Sequence, residues 1–170
     1  MFDSSSVTYP AAVPWEACVV AIGNFDGVHE GHRALLEAAR AQAGVLDLPL
    51  VVLTFEPHPR AVLRPDVPFS RLMTAEEKVA ALRAAGAGHV AVLPFDLTVA
   101  GWDETQFRDV LVGWLRAAFV VVGENFKYGH KARGDVASLV VDGRFDVLPV
   151  PLVVCEAGVV VSSSRLREGL

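Results

Sequence analysis

The sequence is short of cysteine, of long apolar runs and of any leader-like start, and each shortage removes a class of protein. Its 170 residues include two cysteines, Cys18 and Cys155. Two are too few for a disulfide scaffold; each sits in an apolar run and is expected to be a buried thiol in a reducing cytoplasm. No apolar run reaches the roughly 18 residues that cross a bilayer. The longest stretches, Val147–Cys155 and Leu48–Phe55, are short and carry prolines. Met1–Ser6 lacks the basic and apolar regions of a signal peptide, so no membrane association is expected. Basic residues are outnumbered 15 to 20, a net charge of −5. That excludes general nucleic-acid binding but leaves room for a local basic pocket around one phosphorylated ligand. No Gly-x-x-x-x-Gly-Lys-Ser/Thr occurs, so the chain is not a P-loop protein. With 52% hydrophobic and 21% charged residues it is no disordered tail. At roughly 150 residues per domain, residues 1–170 are expected to form a single domain.

What is present is an alternation of apolar strands and amphipathic helices. Strands are expected at Ala17–Ile22, Leu50–Phe55, His89–Leu93, Phe119–Val122, Phe145–Val150 and Val159–Val161. Helices are expected at His32–Gln42, at Thr74–Ala85, from Asp103 or Glu104 to about Leu115, at Val136–Val141 and from Ser163 onward. Thr74 and Glu77 have capping-box spacing, and Phe107, Leu111 and Leu115 fall on one helix face. Continuous apolar strands joined by helices imply an α/β fold with a parallel sheet covered on both faces. Ligands of such sheets bind beyond the carboxyl ends of the strands.

Four motifs follow strands. The first is Gly23-Asn24-Phe25-Asp26-Gly27-Val28-His29-Glu30-Gly31-His32, between the first strand and first helix. Its glycines let backbone approach a ligand, and a helix N-terminus favours phosphate. His29 and His32 can donate hydrogen bonds to phosphoryl oxygens. A bare His-x-x-His pair also describes a surface pair or half a zinc site, but no further ligand stands at zinc spacing. The second motif is Thr54-Phe55-Glu56-Pro57-His58-Pro59-Arg60, a proline-stiffened loop with a flat apolar wall. Alone it describes only a rigid loop. The third is Val122–Asp135, where Asn125, Phe126 and Tyr128 suit a planar heterocycle and Lys127, Lys131 and Arg133 form the densest basic cluster. The fourth is Ser162-Ser163-Ser164-Arg165-Leu166-Arg167, which reads either as a helix cap or as an anion site. Gly86-Ala87-Gly88-His89-Val90-Ala91 matches Gly-x-Gly-x-x-Ala but precedes a strand, so it is no dinucleotide fingerprint.

In this order the four motifs resemble those of the adenylyltransferase module of bacterial bifunctional riboflavin kinase/FMN adenylyltransferase, the FAD synthetase family. The resemblance covers nearly the whole chain. It implies a Rossmann-like, doubly wound parallel sheet and the reaction ATP + FMN → FAD + pyrophosphate, with Mg²⁺ carried on the ATP phosphates. By the resemblance His29, His32 and Arg167 would be catalytic. Gly23, Phe25, Asp26, Gly31, Ser162, Ser163 and Ser164 would bind ATP. Asn125, Phe126, Pro57, His58 and Pro59 would hold the flavin, and no residue would hold a metal directly. The family's riboflavin kinase module is absent from these 170 residues, so no conversion of riboflavin to FMN is expected. The alternatives are a related nucleotidyltransferase with another phosphorylated acceptor and a non-catalytic flavin or nucleotide sensor. Oligomeric state is left open.

Overall fold

The apolar runs do become strands. The computed structural model describes residues 6–25, 30–64, 66 and 74–151. In these residues one sheet is built from β1 (Ser6–Thr8), β2 (Cys18–Ile22), β3 (Leu50–Glu56), β4 (His89–Pro94), β5 (Ala117–Gly123) and β6 (Asp146–Val150). Its order is β1-β4-β3-β2-β5-β6, and every neighbouring pair is parallel. Parallel pairing follows from the connections, each of which after β2 carries a helix across the sheet. These are α1 (Glu30–Leu46), α2 (Pro59–Leu63), α3 (Ala75–Ala84), α4 (Leu97–Ala100), α5 (Glu104–Gly113) and α6 (Val136–Val140). From β2 the chain winds outward through β3 and β4, then returns to the other side of β2 for β5 and β6. The winding reverses between β2 and β5, and such a reversal opens a crevice at the carboxyl edge.

Alternation along each strand divides the core. Val20, Ile22, Val51, Leu53, Val120 and Val122 face Phe107, Leu111 and Leu115 of the α5 region and Leu139 of α6. Val19, Ala21, Val52, Val90 and Val121 face Leu35, Leu36 and Ala39 of α1 and Leu82 of α3. Burying each such side chain is worth about 2 kcal/mol, so both faces of the central strands contribute. Three helix starts are fixed by reciprocal capping boxes, and a fourth, that of α4, by Asp96 accepting from the Val99 N–H. Thr74 and Glu77 cap α3 reciprocally, as expected, Asp103 and Gln106 do so for α5, and Asp135 and Ser138 for α6. Each cap is worth about 1 kcal/mol.

Several boundaries move. Strand β1 was not expected: three half-buried residues carry no pattern of their own, and pairing with β4 makes the strand. Helix α1 starts at Glu30 and runs on to Leu46. Helix α5 stops at Gly113, and the left-handed backbone of Arg116 (φ 58°) turns the chain into β5 with Leu115 still buried. The second motif, expected to be a rigid loop, leads into α2, which begins at Pro59. Cys18 is buried as expected. Cys155, the strand at Val159–Val161 and the helix from Ser163 lie outside the described residues. Among the described residues no helix is long and apolar enough to cross a membrane.

Candidate active site at the switch point

The loops that leave β2, β3, β4 and β5 meet at the carboxyl edge around a cavity of about 690 Å³. Its wall is largely aromatic. Phe55 at the end of β3 lies 6.2 Å from Phe95 and 6.4 Å from Phe107. Phe107 lies 5.0 Å from Tyr128, on which Phe126 stacks at 5.8 Å and 17°. Leu63 of α2, Leu97 of α4 and Trp102 complete the mouth, while Gly23 and Asn24 bring backbone to the wall nearest β2. Flat apolar faces with a polar, cationic rim suit a planar ring system that carries an anion.

The rim is built from the loop after β5. Tyr128 and Gly134 exchange backbone hydrogen bonds of 3.2 and 2.8 Å, and the His130 N–H donates to the Trp102 carbonyl at 2.8 Å. The turn between holds Gly129, Lys131 and Ala132 in left-handed backbone, at φ 79°, 56° and 55°. For a non-glycine residue that costs about 1–2 kcal/mol, retained here because both ends of the turn are pinned. The result presents Lys127, His130 and Lys131 at the cavity edge. Behind the wall, Arg108 donates to the Tyr128 hydroxyl at 3.1 Å, and that hydroxyl lies 2.6 Å from Ser138 Oγ. Arg108 and Arg144 both bond Asp142. The Arg144 guanidinium above all holds the Asp142 carboxyl down at about 2.

The expected site residues divide. Gly23, Pro59 and Phe126 line the cavity. Asn125 is exposed beside it, and Pro57 and His58 precede α2, Pro57 exposed and His58 buried. Gly31 and His32 stand in the first turn of α1. Phe25 is not a wall residue. Its ring is fully buried in the α1-side core, edge-on to His32 at 4.9 Å, with a left-handed φ of 54°. Asp26, His29, Ser162, Ser163, Ser164 and Arg167 lie outside the described residues. The stretch Phe95–Trp102 was missed, although it too follows a strand. It carries no glycine-histidine or basic signature, and its contribution is apolar wall.

Among the described residues no group of three or more His, Cys, Asp or Glu side chains could hold a metal ion. Cys18 offers no nucleophile: burial pushes its thiol up to about 12.

The sequence model of FAD synthetase matches residues 12–165. The bifunctional riboflavin kinase/FMN adenylyltransferase of Escherichia coli (strain K12) is 38% identical over 161 residues, covering 92% of this chain and 51% of the relative. A putative enzyme of the same name from Geobacillus thermodenitrificans is 37% identical over 151 residues, covering 88% of this chain and 80% of the relative. The chain thus spans about half the length of the Escherichia coli protein. A crystal structure described as a macrolide-efflux protein from Streptococcus pneumoniae superposes with a TM-score of 0.85 at 25% identity, over 97% of this chain and 55% of that one. Pantoate-beta-alanine ligase from Francisella tularensis, at 0.56 and 13%, over 98% of this chain and 67% of that one, shares the fold alone. On motifs, sheet order and sequence together, the chain belongs to the FAD synthetase family.

Proposed function

We propose that the chain is an FMN adenylyltransferase, transferring AMP from ATP to the FMN phosphate. The observation that carries this reading is the aromatic cavity at the switch point, bordered by Gly23 and Asn24 of the first motif. A phosphate oxygen of FMN attacks the α-phosphorus of ATP in line. The bond to the β-phosphate oxygen breaks and pyrophosphate leaves, so no protein nucleophile is needed. Catalysis is then alignment together with stabilisation of charge on the phosphoryl oxygens.

In this reading Phe126, Asn125 and the Pro57-His58-Pro59 loop hold the isoalloxazine. His32, with His29, donates to the phosphates, and Gly23 and Gly31 let them approach. Phe25 acts through His32. Ser162, Ser163, Ser164 and Arg167 close on the triphosphate from the chain's far end, with Asp26 beside the nucleotide. Mg²⁺ enters as part of the nucleotide, chelated by its phosphates, and draws their negative charge. Cytoplasmic placement goes with the reading, since ATP is an intracellular reactant. Incubating the chain with FMN, ATP and Mg²⁺ and separating the products tests it. FAD and pyrophosphate in equal amounts are expected. Activity with another phosphorylated acceptor but none with FMN would replace the acceptor, and tight FMN binding with no FAD would make the chain a sensor.

A further inference from the structure

We propose that Lys78 is a positioning residue for the adenylyl transfer, its buried ammonium locking the loop after β2 to the loop after β3 through Thr54. The inference rests on the reading above and adds a residue outside the cavity. Lysine is almost never fully buried unless paired. Lys78 is 1% exposed, and from α3 it reaches the carboxyl end of β3. Its Nζ stands 2.6 Å from Glu56 Oε2, 3.2 Å from Thr54 Oγ1 and 3.1 Å from the Phe55 carbonyl.

The charge fixes a direction. An ammonium only donates, so the Thr54 oxygen accepts from Lys78 and must send its own proton elsewhere. It goes to the Asn24 carbonyl, 2.9 Å away. Asn24 sits between Gly23, which lines the cavity, and Phe25, which supports His32. On the other side, Phe55 is a cavity wall and Glu56 leads into Pro57-His58-Pro59. One cation therefore touches the acceptor loop directly and the phosphate loop through one hydroxyl.

Such a pair is weak evidence for stability, because a buried ion pair can often be replaced by apolar groups without loss. What it supplies is a geometry with one solution. An in-line transfer demands that, and a misplacement of about 1 Å arising away from the chemistry can cost about 100-fold in rate.

Thr54→Val removes the link to Asn24 and keeps the shape, and Thr54→Ser restores the hydroxyl. For Thr54→Val we expect kcat to fall about 10- to 100-fold while KM for ATP and for FMN stays within about threefold, because each loop keeps its own contacts. Thr54→Ser should return kcat to within about twofold of wild type. The paired variant Lys78→Met/Glu56→Gln, which leaves no lone buried charge, should show the same loss. A second measurement needs no substrate. The Gly23 amide is bonded to the Leu53 carbonyl at 3.1 Å. Its hydrogen exchange should accelerate about 10-fold in Thr54→Val, with the protection of β2 and β3 kept. Wild-type kcat together with wild-type Gly23 exchange in Thr54→Val would overturn the proposal, as would a uniform rise in exchange across the whole sheet. A wild-type chain that forms no FAD would overturn the reaction alone, and Gly23 exchange in Lys78→Met/Glu56→Gln, expected to accelerate as in Thr54→Val and to stay at the wild-type rate if Lys78 has no positioning role, would still decide the role of Lys78.

Discussion

Adding one methyl group at Gly134 probes the cavity wall from behind. A Cβ there would stand 2.5 Å from Cζ of Tyr128 and 2.6 Å from both Cε atoms. The ring has nowhere to swing. It is packed between Phe107 at 5.0 Å and Phe126 at 5.8 Å, and its hydroxyl is held by Arg108 and Ser138. Gly134 cannot retreat either, since its backbone is paired with that of Tyr128. Overpacking of this kind costs about 1–3 kcal/mol. Displacing the two hydroxyl bonds adds about 0.5–1.5 kcal/mol each. We expect Gly134→Ala to lose about 3 kcal/mol, which for a domain of this size lowers Tm by roughly 6–12 °C. The displaced ring also breaks the stack with Phe126, worth about 1 kcal/mol, so KM for FMN should rise about fivefold or more while KM for ATP holds. Calorimetry and initial rates at varied FMN measure both effects. Tyr128→Phe keeps the ring and loses only the hydroxyl, so it should lower Tm by less and leave the FMN term alone. If Gly134→Ala melts within about 1 °C of wild type and binds FMN normally, the wall does not depend on a pinned Tyr128.

Two further outcomes follow from other parts of the site. His32→Ala should lower kcat about 100- to 1,000-fold with the fold kept, because its edge contact with Phe25 is worth only about 1 kcal/mol; circular dichroism and turnover check this, and wild-type turnover would remove His32 from the reaction. Asp142 titrates lower in the folded chain than in the unfolded one, from 3.8 to about 2, because Arg144 and then Arg108 bond its carboxylate. Its contribution is therefore complete above the unfolded value and lost as pH falls from about 4 to about 2. Arg144 is 42% exposed, which trims the contribution to at most about 2 kcal/mol. Denaturant melts of wild type and Asp142→Asn should differ near neutral pH and converge in that acid range; a constant difference would refute the assignment.

The central sheet was legible because its strands are buried on both faces. Cys18-Val19-Val20-Ala21-Ile22 and Leu50–Phe55 are continuous apolar runs, a signal that needs no partner to be seen. β1 and α4 were not legible, because elements of three or four residues are too short to show a period; α2, five residues like the expected α6, was hidden by prolines that read as a loop. The same division runs through the site. The rule that ligands sit beyond strand ends found the loops after β2, β3 and β5, where glycine, histidine and proline advertise chemistry. It was not applied after β4, where the contributors are Phe95, Leu97 and Trp102, ordinary apolar residues until the sheet brings them together. Lys78 reads locally as the polar position of an amphipathic helix. Only Glu56, far back in the chain, makes it a buried cation. Phe25 carries two parts at once: its motif position suggests ligand contact, and its ring is buried edge-on to His32.

In the proposed reaction an acidic chain handles two polyanions, and it then needs its cations in the right place more than in number. The net charge of −5 is felt at a distance only weakly, since charges beyond about 8 Å are screened at physiological salt. Within that range the cavity carries Lys127 and Lys131, on a turn whose two left-handed non-glycine residues and two-point pinning fix where it stands. Exposed cations contribute little to affinity individually. Their effect is on encounter and orientation, presenting one positive edge to an incoming phosphate. The apolar wall behind them then takes the ring, and its burial supplies the larger share of binding. The turn's strained backbone thus holds positive charge beside an otherwise apolar wall.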